Sequence, residues 1–301
     1  MQPERGIDHP KLCKLERTNV VRIFYLLLLI PVSLPAATPE WTRANNLYQR
    51  TEYLQSLAAL HPASKDAATL QLMGQNFFML GEYKKASDAF EKAAALDPTN
   101  ARLIHWLGRA YGRRAETANP LAAPGEASKT RQMFEKAVQL DPTNKDALGD
   151  LLDYYLDAPG FLGGGVQKAE MLAQMILKTD PAEGHYAQGL VDVKKKEFSA
   201  AEEQFRRAVV LAPMQVGHVL VLARYLANHD HVNESDALFE QAARMDPKNP
   251  KVMFDRAAAY IKQNRNPETA RKLLEQYLQS PLTPEDPPRG RAEALLKKLG
   301  A

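Results

Sequence analysis

"ATLQLMGQNFFMLGEYKKASDAFEKAAALDPTN", residues 68–100, decides the fold. Its apolar residues fall at three- and four-residue spacing, the period of a helix buried on one face. Gly81 interrupts that pattern midway, and Pro98 ends it, because proline cannot sit in a helix interior. The stretch therefore predicts two helices separated by a turn. Gly74, Ala86 and Ala93 are small enough to let the two approach closely, with Phe90 filling the space beside them.

The stretch is one copy of several. Its closing "LDPTN" returns at 140–144, and "TDP" and "MDP" stand at 179–181 and 245–247. Pro62, Pro98, Pro142, Pro181, Pro213, Pro247 and Pro281 are separated by 36, 44, 39, 32, 34 and 34 residues, a period near 34 with two insertions. Before Pro213, Gly189, Phe198, Ala201, Phe205 and Ala208 keep the distances that Gly74, Tyr83, Ala86, Phe90 and Ala93 keep from Pro98. Ala223, Ser235, Phe239 and Ala242 do the same before Pro247.

This pattern resembles the tetratricopeptide repeat over residues 67–283, in six units: 67–100, 101–144, 145–181, 182–215, 216–249 and 250–283. The resemblance implies an all-α, right-handed superhelical solenoid of helix-turn-helix repeats. Residues 38–66 are expected to contribute an N-terminal capping helix. Residues 284–301, with "RGRAEALLKKLG" at 289–300, should cap the other end, because a terminal unit must not leave its apolar face in water. In the third unit Leu152 and Ile176 occupy sites that are small elsewhere, and Ala173 stands where the best copy has Phe90. That reads as compensated packing. In the last unit Gln276 takes the place of the usual small residue.

The composition is globular: 301 residues, 45% hydrophobic and 25% charged, with a formal net charge of +3. So small a charge gives no reason to expect nucleic acid, whose binding needs a concentrated basic face. The N-terminus differs. Arg5, Lys11, Lys14, Arg17 and Arg22 precede "IFYLLLLIPVSLPAA", residues 23–37. A basic stretch, a short apolar core and small residues at its end predict a signal peptide or signal anchor over 1–37, hence export to a periplasm or cell envelope. Retention as an anchor would put residues 20–37 in the inner membrane, and initiation nearer Val20 is a third possibility. Cys13, the only cysteine, precedes the apolar core and so is not placed as a lipoprotein cysteine.

In this family the first helix of each unit lines a concave face that commonly binds a protein or peptide. On the first helix of the second unit, Arg102, His105, Arg109 and Arg113 form one stripe. On that of the third, Asp146, Asp150, Asp153 and Asp157 form another. Three readings stay open: a ladder of ion pairs between the helices, a polar subsite that reads a partner's charges, or two solvated faces. The Lys and Asn residues with which some family members hold a C-terminal carboxylate are absent. Gln71, Gln75, Trp106, Asp146 and Asp150 occupy the matching places.

Both insertions fall between the two helices of a unit. "RRAETANPLAAPGEASK", 113–129, belongs to the second and "APGFLGGG", 158–165, to the third, so the two should emerge on one edge. The glycines are not a Walker-type phosphate loop: no strand precedes them, and Lys168 lacks a following Ser or Thr. A structural turn is expected, with a ligand-contacting loop as the other reading. Phe161 and Leu162 either fold down over the helix ends or stand out as an apolar anchor. No HExxH, GxSxG or paired-cysteine motif occurs, and His229-Asp230-His231 is a weak metal candidate. No cofactor, metal or catalytic residue is expected. The sequence points to a binding scaffold, with a self-assembling structural component (a homo-oligomer) or an enzyme at the insertion edge as alternatives. Membrane contact is expected only through an uncleaved leader.

Overall fold

The computed structural model describes residues 38–61 and 65–300; the leader expected over 1–37 lies outside them. Among the described residues every regular element is helical, and the elements pair into antiparallel hairpins. They are α1 (Pro39–Gln49) with α2 (Tyr53–Ala58), α3 (Ala67–Met79) with α4 (Tyr83–Leu96), and α5 (Ala101–Thr117) with α6 (Ala123–Leu140). Next come α7 (Lys145–Asp157) with α8 (Val166–Thr179), α9 (Pro181–Lys195) with α10 (Phe198–Leu211), and α11 (Val216–Asn228) with α12 (Val232–Met245). The series ends with α13 (Pro250–Lys262), α14 (Pro267–Gln279) and the single helix α15 (Arg289–Leu299). The fold is an all-α repeat solenoid. Its N-terminal segment holds two helices, α1 and α2, where the sequence suggested one.

The repeated "LDPTN" works as a stop and a start. Pro98 and Pro142 end a helix, and two residues later Asn100 and Asn144 cap the next. Their side-chain oxygens accept from Leu103 N at 3.1 Å and from Ala147 N at 3.1 Å. The third unit shortens this joint. Asp180 ends α8 and also caps α9 through Glu183 N at 3.1 Å, with Pro181 already the first residue of α9. A connection so short brings the backbones together: a Cβ on Gly184 would lie 2.2 Å from Leu177 Cα. This accounts for the gap of 32 residues between Pro181 and Pro213.

Core clusters are shared between consecutive hairpins. One contains Leu70 of α3, Ala86, Phe90 and Ala93 of α4, and Leu103, Leu107 and Ala110 of α5. Within a hairpin the same contact recurs. A Cβ on Gly74 would come within 2.6 Å of the Phe90 ring, one on Gly108 within 2.6 Å of Phe134, and one on Gly189 within 2.5 Å of Phe205. The third unit exchanges these sizes across the interface. Leu152 replaces the glycine, Ala173 replaces the phenylalanine, and both are buried with Ile176 in one cluster.

Two expectations need correction. The segment 113–129 is mostly helix, not loop. Nothing breaks the helix before Asn119-Pro120, so α5 continues to Thr117 and α6 starts at Ala123, leaving only 118–122 between them. In the last unit the small-residue position is not Gln276, which is exposed. Ala270, Leu274 and Tyr277 are the buried triad of α14, one residue later than the proline count suggested. A tyrosine is accommodated there because the next element is the lone helix α15, not another closely packed hairpin.

Candidate functional site: the charged concave groove

The first helices of successive hairpins line a concavity of about 750 Å³. Its walls come from α5, α7 and α9, with Gln215 ahead of α11 and Glu285 from the segment before α15. Three cations (Arg102, Arg109, Lys145) face five carboxylates (Asp146, Asp150, Asp153, Glu183, Glu285). A second cavity of about 340 Å³ opens between α5, α6 and α7. It shares Arg109, Asp150 and Asp153 with the first and adds Arg113 and Asp157. The eight charged or polar residues of the two stripes therefore lie along one continuous surface. Phe161 and Leu162 line neither cavity.

The stripes meet at one residue. Buried His105 donates from Nε2 to Asp150 Oδ2 at 2.7 Å, and Arg109 Nε lies 3.6 Å from the same oxygen. The Arg109 guanidinium is further confined by aromatic faces, 4.4 Å from the Trp106 centroid and 5.2 Å from that of Phe78. The other members turn elsewhere. Arg113 bonds Glu116 on its own helix and the Tyr83 hydroxyl at 3.2 Å. Asp157 pairs with Lys194 of α9 at 3.2 Å. Arg102, Asp146 and Asp153 have neither a hydrogen bond nor an ion pair from their side chains among the described residues. The arrangement is one bridge flanked by unspent charge, not a ladder.

Asp153 is the extreme case. Its carboxylate reaches the groove with Asp150 and Asp157 one helical turn to either side. Its side chain stays open to solvent on one side, but partial desolvation by the groove, and then those two like charges, push its pKa up to about 6. Glu183, across the groove, is also raised by burial. Buried His218 brings Nε2 to 3.9 Å from Glu183, and burial lowers its pKa. An anionic wall held this way is stabilised by any cation that enters.

The glycine segment is a tight turn. Gly163 and Gly165 have φ of 87° and 145°, and a Cβ on Gly164 would lie 1.9 Å from the Ala158 carbonyl oxygen. Lys168 donates to the Gly163 carbonyl at 2.8 Å, and the Tyr154 hydroxyl to that of Leu162 at 3.0 Å. The lysine thus closes the loop on itself. Phe161 does not fold over the helix ends: it is 83% exposed, with Leu162 half-buried behind it. His229 is likewise committed, with Nδ1 2.8 Å from the Tyr225 carbonyl oxygen and its ring stacked on Tyr225.

Sequence reasoning missed a shallow cavity of about 590 Å³ at the insertion edge, lined by Gly81, Tyr83, Lys85, Arg114 and Glu126 among others. It exists because α5 and α6 run past the turn of the preceding hairpin, and only recognising 113–129 as helix would have found it. It also missed Glu285, which enters the groove from the far end of the array.

A family model described as TPR repeat matches residues 74–114, and one described as tetratricopeptide repeat matches 238–272. Among solved structures, a tetratricopeptide repeat protein from Parabacteroides merdae is 14% identical with a TM-score of 0.54, over 87% of this chain and 98% of its own. That likeness shows the fold alone. A thermophilic TPR protein of Thermus thermophilus is 19% identical, TM-score 0.49, over 62% and 97%. The C-terminal part of a TPR repeat-containing protein from Cytophaga hutchinsonii is 17% identical, TM-score 0.44, over 85% and 99%. No curated protein matches the sequence.

Proposed function

Because this chain is a tetratricopeptide-repeat protein, we propose that it is a docking scaffold whose concave groove holds a segment of a protein partner. The observation that carries this reading is Asp153: a carboxylate in the groove, flanked by two more, given no cation by the fold. Leaving it ionised costs stability, and the cost is relieved when a cation from outside lies against it. The complementary partner is an extended segment or helix that presents Lys or Arg to α7, with an acidic group placed near Arg102. Such pairing sets register and orientation more than raw affinity.

We further propose that this docking takes place in a cell envelope. The basic leader and short apolar core over 1–37 support export. Among the described residues no helix is long and apolar enough to cross a membrane. Photo-cross-linking from groove positions in the native envelope is the test. Specific adducts should disappear in both Arg109→Glu and Asp153→Lys. Adducts unchanged in both variants would remove the groove as the docking surface.

A further inference from the structure

The segment between α14 and α15, residues 280–288, belongs to the last core cluster and shares a cavity with the first hairpins at the opposite end of the array. It is irregular apart from one turn at 284–286. It contains Pro281, Pro284, Pro287 and Pro288, so it has few conformations to lose. It is also held from its own side. Thr283 donates to Asp286 Oδ2 from both N (2.8 Å) and Oγ1 (2.9 Å). The hydroxyl of fully buried Tyr277 donates to the Pro287 carbonyl, and Leu282 is buried in the last core cluster.

Its outer side faces the first hairpins. Leu282 and Pro287 share a cavity of about 240 Å³ with Thr51, Tyr53 and Met79. One step along, Glu285 lines the main groove opposite Arg102 and Arg109 of α5. The Tyr48 phenol on α1 senses all three: burial raises its pKa most, Tyr53 and Glu285 raise it further, and the two arginines lower it. Yet among the described residues no hydrogen bond or ion pair is seen from the 280–288 strap to α1, α2 or α3. The strap is fixed at one end of the solenoid and merely abuts the other.

We propose that this strap is a gate. In the closed position it brings the two ends of the array together and sets Glu285 against the cationic side of the groove. In the open position the strap, still attached to α14 and α15, moves away from the first hairpins and exposes the groove laterally. A partner segment that brings its own acidic group to Arg102 displaces Glu285. The proposal rests on the groove being the docking surface, but closure itself does not depend on that reading. The contact that must break is apolar and small, with a charge facing charges it does not bond, so a partner's differential affinity is enough to shift the equilibrium.

The experiment uses the full chain carrying Cys13→Ser, Thr51→Cys and Pro284→Cys. Spin labels on the two new thiols should give a short, narrow distance distribution. Tyr277→Phe combined with Pro287→Gly and Pro288→Gly should lengthen and broaden it, with helical circular dichroism unchanged, and slow bismaleimide bridging of the two thiols by about tenfold. A long, broad distribution in the otherwise unaltered chain, or one that stays narrow in the freed variant, overturns the gate. Bridging the two thiols should then abolish the envelope adducts that require Asp153. Adducts that form equally well in the bridged chain overturn the guarding role. If no such adduct forms even unbridged, the docking reading and the guarding role fall together, while closure is still judged by the distances.

Discussion

The second and third repeat units, hairpins α5–α6 and α7–α8, solve one packing problem with inverted parts and build one groove with opposite charges. In the second, Gly108 yields space to Phe134; in the third, Leu152 fills it and Ala173 withdraws. In the second, the groove-facing cations are largely engaged, Arg109 by Trp106 and Asp150 and Arg113 by Tyr83. In the third, Asp146 and Asp153 are left over. A repeat therefore constrains the sum of volumes across its interface more tightly than the residue at either site, and the helix face away from that interface is free to diverge.

The packing half of this comparison has the largest measurable consequence. Leu152→Ala should cost about 2–5 kcal/mol in urea denaturation, the range for a large aliphatic removed from a close-packed site. Leu152→Gly should cost more alone than when joined to Ala173→Phe, since the pair restores the arrangement of the α5–α6 hairpin. A double variant no more stable than the single would mean the exchange is not reciprocal.

The bridge between the two hairpins comes next. Asp150→Ala leaves the buried His105 Nε2–H without its acceptor and removes the carboxylate beside Arg109, a loss of about 1–3 kcal/mol. Asp150→Asn retains an acceptor and should lose less. Thermal melts of the two variants, compared at one pH, decide the order.

The smallest effect has the opposite sign. The folded chain holds the Asp153 proton more tightly than the unfolded chain, because its pKa is raised from the ordinary 3.8 to about 6. Between those values folding takes up a proton, so stability falls as pH rises through this window, and the full penalty applies above about 6. Asp153→Asn should therefore be more stable than the parent at pH 7, by less than about 1 kcal/mol for so water-accessible a group. The difference should vanish below about pH 4, under the unfolded-state value. Carboxyl NMR titration checks the midpoint directly; an ordinary value would leave Asp153 an unstrained surface charge.

The repeat was legible because its causes are local: proline stops, asparagine caps and small-large pairs a fixed distance apart are all written in sequence. The charged stripes were legible for the same reason, since helical spacing places Arg102, His105, Arg109 and Arg113 on one face. Their partners were not. Whether Asp157 meets Arg113 or Lys194 depends on how adjacent helices are rotated, and that rotation is set by side chains such as Leu152 on the buried face. The extension of α5 was hidden by counting from prolines, which mark where a unit closes and not where its inner turn falls. The approach of Glu285 to Arg102 follows from curvature accumulated over every hairpin between them, a quantity no single interface contains.

A linear stack of hairpins ordinarily frays from its outermost members, which have a neighbour on one side only. Here Tyr53 and Met79 confront Leu282 and Pro287 across a narrow gap, so each terminus has something opposite it. With the strap closed, fraying at either end must also part this contact, so the fall in amide protection from slow middle to fast ends would be shallower than in the chain whose strap is freed.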